Sequence, residues 1–210
     1  MILNTFWGYM AKKTKKVDAI IQARLTSTRF PGKVNKMLGG KTILARVIEN
    51  VQKSRLVDRI ILAIPDTQEN MDLVQYEEMY DVKIFAGSEN NVLDRFIQAG
   101  EFYDAEHILR VCGDAPFLPS WLIDHAIETW NPDEHGYLRT SGMASGQNVE
   151  LVTLDILKSI KDPSYAESEH VTLALYKPAD VARAIMDIDS LSIDTQEDLE
   201  SMQKMVKHYD

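Results

Sequence analysis

Cysteine is almost absent from these 210 residues: Cys112 stands alone. That excludes an internal disulfide framework and a cysteine-rich zinc site, and it suits a reducing compartment, so a cytoplasmic location is expected. Basic residues are in deficit as well. Lys and Arg number 23 against 32 Asp and Glu, a formal net charge of −9. A field of that sign repels phosphate-rich surfaces, so neither nucleic acid nor an anionic membrane is an expected partner unless a local basic patch overrides it. No apolar run reaches the roughly 18 residues that a membrane-spanning helix needs. Linkers, low-complexity tracts and internal repeats are also missing, which favours one domain over several.

The first sixteen residues, MILNTFWGYMAKKTKK, place apolar residues before a basic cluster, the reverse of a secretory signal. They read as a disordered extension, with Met10 opening an alternative start, and residues 17–210 read as the single domain. The chain is 45% hydrophobic and 26% charged, enough apolar material for a substantial core.

What is present is alternation. Short apolar runs at 17–22 (VDAIIQ), 59–64 (RIILAI), 82–86 (VKIFA) and 107–112 (HILRVC) read as buried strands. Between them, Thr42 is placed to cap a helix with Ile43, Leu44, Val47, Ile48 and Val51 on one face, and 68–80 and 92–103 also read as helices. Strand–helix alternation predicts right-handed crossovers and an α/β fold with a mostly parallel, doubly wound sheet. After Pro132 the pattern changes to short strands at 136–140 and 148–152, then helical segments at 153–161 and 166–176, expected to form a small β/α cap. Apolar residues recur through 181–193, and Thr195 precedes a final helix.

In open α/β sheets ligands bind beyond the carboxyl ends of the strands. Three motifs fall there. The first, ARLTSTRFPGK at 23–33, carries Arg24, Arg29 and Lys33 with several hydroxyls and no acid, a composition suited to a polyphosphate or to a solvated basic loop. It matches neither the Walker A pattern nor G-x-G-x-x-G. The second, Gly113-Asp114-Ala115-Pro116, offers a carboxylate that can hold Mg²⁺ against phosphate oxygens or simply make a turn. The third, SIDTQED at 192–198, contains Asp194 and a capping-box pattern in Thr195 and Asp198. His107 and His125 read as structural, Cys112 as a small core residue, and the D-x-D at Asp187 and Asp189 lies in a late strand without a glycine-rich approach.

Seven collinear segments carry a family resemblance: IIQARLTSTRFPGK (20–33), LGGKTILARVIE (38–49), FAGSENNVLDRF (85–96), RVCGDAPFL (110–118), GQNVELV (146–152), SEHVT (168–172) and SIDTQEDLE (192–200). In order and spacing they are similar to the spore coat polysaccharide biosynthesis protein F family, a group of cytidylyltransferases related to the CMP-sialate and CMP-KDO synthetases. The resemblance implies a nucleotide-diphospho-sugar-transferase type of sheet. It also implies the reaction of CTP with a sugar acid to give a CMP-sugar and pyrophosphate.

On that resemblance Arg24, Ser27 and Lys33 belong to a triphosphate loop with Arg29 as helper, and Asp114 and Asp194 are the two Mg²⁺ carboxylates. Arg24, Lys33, Asp114 and Asp194 would carry catalysis. The backbone near Ala23 and the 92–95 segment with Arg95 would read base and ribose, while Gln147, Asn148, Glu150 and His170 would line the acceptor pocket. A homodimer through residues 135–180 is implied too. Departures from the family pattern are Gln196 for proline, Cys112, and GQNVELV where GLDVEVF is frequent, so that Asn148 removes a charge from the acceptor site. The alternatives are a nucleotidyltransferase or glycosyltransferase of the same fold using another nucleotide, and a non-catalytic nucleotide-binding subunit.

Overall fold

A computed structural model describes residues 15–27, 29–141, 143–176, 180–183, 195–197, 199 and 200. Residues 1–14 of the expected 1–16 extension, 184–193 of the apolar stretch at 181–193, and Asp187, Asp189, Asp194 and Asp198 lie outside the described residues.

Strand β1 (Val17–Gln22) is followed by the short hairpin β2 (Met37–Leu38) and β3 (Lys41–Thr42), helix α1 (Ile43–Gln52), β4 (Arg59–Pro65), α2 (Tyr76–Tyr80) and β5 (Lys83–Gly87). Then come α3 (Val92–Tyr103), β6 (His107–Cys112), α4 (Ser120–Thr129), β7 (Tyr137–Ser141), β8 (Glu150–Thr153), α5 (Leu154–Ser159), α6 (Tyr165–Glu169) and β9 (Asp180–Arg183). One seven-stranded sheet runs β5-β4-β1-β6-β8-β7-β9. Its strands are parallel except β8, which pairs antiparallel with both β6 and β7.

Apolar runs fill the central strands because both faces are covered. On one face Val47, Ile48 and Val51 of α1 and Leu122, Ile123 and Ala126 of α4 meet Ile21, Leu62 and Val111. On the other, Val92, Leu93, Phe96 and Ala99 of α3 and Leu157 of α5 meet Ile20, Ile61 and Ile108. This is the expected doubly wound arrangement. The segment expected to cap it continues the same sheet, β8 entering beside β6 at a register that sets Arg110 opposite Glu150.

Thr42 caps α1 as its position predicts, its Oγ1 accepting from the Ala45 amide at 3.1 Å. The 68–80 segment departs from a regular helix: Gln68–Gln75 is 3₁₀, and only Tyr76–Tyr80 is α. Asn70 is the reason. Fully buried, its amide donates to Thr67 Oγ1 at 2.8 Å and its Oδ1 accepts from the Leu25 amide at 2.7 Å, so the turn is tied to the loop after β1. The 166–176 segment likewise splits, α6 ending at His170 before a 3₁₀ turn at Leu173–Leu175.

The chain passes from β1 outward to β4 and β5, then returns to place β6 on the other flank of β1. The strand order therefore reverses between β1 and β6, and a crevice opens at their carboxyl ends.

Candidate functional site

Two loops meet at that crevice. After β1 the chain is fixed by Asn70 at Leu25 and doubles back so that the Gly32 amide donates to the Leu25 carbonyl at 2.8 Å. Gly32 takes φ 67°, a left-handed conformation that a side chain would strain, and Phe30 buries its ring against Leu38, Ile43 and Leu199. The consequence is placement. A 3₁₀ turn starts at Lys33 and brings its ammonium to the Asp114 carboxylate, with which it forms an ion pair.

Asp114 comes from the second loop, which leaves β6 at Gly113. The Gly113 amide donates to the Gln22 carbonyl at 2.8 Å, and a Cβ there would stand 2.8 Å from that carbonyl oxygen and 3.0 Å from Ala23 Cβ. Only glycine lets the two strand ends lie so close, and Asp114 follows directly.

Around them lies a cavity of about 760 Å³, lined among others by Ala23, Arg24, Ser27, Arg29, Lys33, Arg95, Asp114, Asn148, Glu150 and His170. These ten were all named from the sequence, although they come from five separate parts of the chain. Gln147 is the exception: it is buried behind the wall, its Nε2 donating to the Phe117 carbonyl at 3.3 Å, so it braces the segment after Asp114 and does not line the cavity. Asp194 lies outside the described residues, and among the described residues no cluster of three or more metal-ligating side chains is present.

Charge decides what the cavity accepts. Arg24, Arg29, Lys33, Arg95, Arg110 and Arg139 face three acids, Asp114, Glu150 and Glu169. In a chain of net charge −9 this local reversal selects an anionic ligand. The acids do not cancel the cations evenly. Arg24 reaches Glu169 at 3.4 Å, a loose contact, and Arg95 donates only to the Ser88 carbonyl, its buried Nε having no partner. Burial, then the nearby charge of Arg24, lowers the Arg95 pKa to about 10, so the guanidinium is charged at neutral pH and carries the cost of being buried.

The far wall is a row across three strands. Register places Arg110 of β6 opposite Glu150 of β8, and Glu150 opposite Arg139 of β7. Glu150 accepts from Arg110 Nη1 at 2.9 Å, from Tyr137 Oη at 2.8 Å and from Thr172 Oγ1 at 2.9 Å, while Arg110 Nε and Nη2 donate to Gln22 Oε1 at 3.3 and 3.1 Å. Burial works against the charge on Arg110, yet its acidic surroundings raise its pKa; Glu150 keeps it ionised. Cys112 also lines the cavity, and burial pushes its thiol up to about 11 with Arg110 pulling the other way. A neutral thiol is no nucleophile.

Reasoning from sequence missed Gln22, Arg110, Arg139, Glu169 and Tyr176. A signal existed for Arg110 and Arg139: each is a charge inside an otherwise apolar or hydroxyl-bearing strand, a position that only a partner or a ligand justifies.

A doubly wound sheet with a cationic crevice at its switch point, a paired lysine and aspartate at its centre and six bases around it defines a nucleotidyltransferase type of α/β protein. The chain belongs to the cytidylyltransferase family, whose model matches residues 19–209. It is similar to the spore coat polysaccharide biosynthesis protein SpsF of Bacillus subtilis (strain 168), 32% identical over 202 residues covering 89% of this chain and 84% of that protein. Among solved structures it resembles a cytidylyltransferase from Leptospira borgpetersenii serovar Hardjo-bovis, with a TM-score of 0.85, 25% identity, and 92% of this chain and 87% of that one covered. A CMP:2-keto-3-deoxy-manno-octonic acid synthetase complexed with CTP shares the fold, with a TM-score of 0.71, 15% identity, and 93% and 100% covered.

Proposed function

We propose that the protein transfers CMP from CTP to a hydroxyl of a sugar acid and releases pyrophosphate, supplying a CMP-sugar for a surface polysaccharide such as a spore coat. The observation that carries this reading is the excess of cations over acids around one cavity at the switch point, with the Lys33–Asp114 pair at its centre. Family membership supplies the cytidylyl group.

The acceptor oxygen attacks the α-phosphorus in line as the bond to the pyrophosphate oxygen breaks, and negative charge builds on the leaving group. Lys33 and Arg24, on the loop after β1, exchange their carboxylate partners for phosphate oxygens and neutralise that charge. Ser27 and the loop backbone hold the triphosphate, Arg29 assists, and Arg95 with the Ala23 backbone orients the nucleoside. Asn148, Glu150 and His170 border the space left for the acceptor, Glu150 by fixing Arg110.

The donor set fits Mg²⁺: Asp114 is a hard carboxylate oxygen at the cavity wall, and this ion needs only one or two carboxylates when phosphates share it. Asp114 and Asp194 would hold it, and its chemistry there is charge neutralisation at the reacting phosphate. Cytoplasmic location and a homodimer through residues 135–180 complete the reading, and sedimentation tests the latter.

The functional test is pyrophosphate release from each nucleoside triphosphate against a panel of ulosonic and nonulosonic acids with Mg²⁺. Release with CTP and an acid, and with no other pairing, supports the reading. Tight CTP binding without turnover on any acid would replace it with a non-catalytic nucleotide-binding role.

A further inference from the structure

The cross-strand row Arg110–Glu150–Arg139 carries one more positive than negative charge, and its surplus is located. Glu150 stands between two arginines and spends its oxygens on Arg110, Tyr137 and Thr172, none on Arg139. Each nitrogen of the Arg110 guanidinium donates once, to Glu150 or Gln22. Arg139 turns away from the row and lays its guanidinium over the Tyr176 ring, 4.4 Å from the centroid. Among the described residues it makes no ion pair and its buried Nε has no hydrogen-bond partner, and it lines the cavity beside Thr140, Ser141 and Asn148.

A buried N–H without an acceptor costs free energy, and a ligand entering the cavity can supply that acceptor. We propose that Arg139, held by Tyr176, is the seat for the carboxylate of the acceptor; this deepens the sugar-acid reading and rests on it. A guanidinium presents two parallel N–H donors, Nε and one Nη, at the spacing of the two carboxylate oxygens. The stoichiometry favours a carboxylate over a phosphate, because a phosphate dianion collects more than one cation and Arg110, the other arginine of the row, is already ion-paired with Glu150. The cation–π contact with Tyr176 holds the guanidinium at the cavity wall without using its N–H donors. Selection then follows. An acid is held by two charge-assisted bonds, whereas the same sugar without its charge leaves the guanidinium unpaired.

The experiment compares wild type, Arg139→Gln and Arg139→Lys with 3-deoxy-manno-octulosonate and N-acetylneuraminate, each as the free acid, the methyl ester and the reduced alcohol. Pyrophosphate release gives KM for acceptor and for CTP separately, and calorimetry gives direct binding of the same probes. Expected is turnover of an acid with its ester and alcohol discriminated against. Arg139→Gln then raises the acid's KM roughly ten- to hundredfold with the CTP KM unchanged, and Arg139→Lys recovers part of the loss. A purely structural arginine would not split the two KM values. An acid KM within twofold of wild type in Arg139→Gln, or equal use of ester and acid, overturns the proposal. Absence of turnover with every probe counts against the transfer reading alone, and calorimetry then decides: acid binding lost in Arg139→Gln upholds the seat, and equal or no acid binding in wild type and variant refutes it.

Discussion

The Lys33 ammonium is bonded to the Asp114 carboxylate although the two residues lie 81 positions apart, one just beyond β1 and the other just beyond β6. In the proposed transfer reaction each residue has a second task, Lys33 at the leaving phosphates and Asp114 at the metal. Their pairing holds both side chains at the cavity wall, and on that proposal it would give way to phosphate and metal when substrate enters.

Lys33→Ala is therefore expected to lower kcat by about 10²–10³-fold, the usual cost of losing one preorganised charge at a developing anion. Asp114→Asn should raise the Mg²⁺ concentration needed for half-maximal rate while leaving the fold intact. The double variant should fall well short of the summed losses, since both act on the same charge. Steady-state kinetics over a Mg²⁺ series checks this.

Arg95 sets function against stability. Its guanidinium is buried without a carboxylate bond among the described residues, and burial lowers its pKa to about 10. From about pH 10 up to the ordinary arginine range the unfolded chain binds the proton and the folded one does not, so the penalty is full below pH 10 and is relieved as pH rises. Arg95→Met should raise unfolding stability at neutral pH by about 1–3 kcal/mol and weaken CTP binding at least tenfold. Chemical denaturation and CTP titration of one preparation show whether the two effects move in opposite directions.

Gly113→Ala introduces a Cβ 2.8 Å from the Gln22 carbonyl oxygen, and the obstacle is backbone that cannot swing aside. The strand ends must part, at a cost of about 1–3 kcal/mol, and Lys33 and Asp114 separate with them. Activity should fall at least tenfold even where the variant is fully folded, as circular dichroism and kinetics on the same sample would show.

Cys112 is expected to be slow toward iodoacetamide. With its thiol pushed up to about 11, the thiolate fraction at pH 8 is roughly two hundred times below that of a free cysteine. Cys112→Ala should keep activity within about threefold. Alkylation at the free-thiol rate, or loss of turnover in the alanine variant, would mean that burial does not control this group.

Much of the fold is legible along the chain because the central parallel strands β1, β4 and β6 are mostly apolar runs and two of the helices between the early strands have clean apolar faces; β6 and α3 fall at 107–112 and 92–103 as their patterns predict. What local pattern does not give is where a tertiary bond replaces a helical one. Asn70 turns 68–75 into 3₁₀ to hold Leu25, and Thr172 leaves the helical path to reach Glu150. Alternating strands at 137–141 and 150–153 look alike whether they form a separate cap or extend a sheet, since register to β6 is written in no single segment.

The phosphate side of the site was readable because it is local: Arg24, Ser27, Arg29 and Lys33 share one loop, and all four line the cavity. The acceptor side was read less well. Gln147 carries the right chemistry in the right segment, yet it closes a turn, its amide donating to the Ala144 carbonyl at 3.0 Å, and lies behind the wall, while its neighbour Asn148 lines the cavity. Arg110 and Arg139 acquire meaning only across strands, through Glu150.

The central claim is tested most directly by ³¹P NMR of wild-type protein with CTP, Mg²⁺ and a turned-over sugar acid. The account predicts one new phosphodiester resonance from the CMP-sugar, growing in equal proportion with pyrophosphate and much more slowly in Asp114→Asn at the same Mg²⁺ concentration. Hydrolysis of CTP to CDP and phosphate, or pyrophosphate without a sugar-linked phosphodiester, would contradict it.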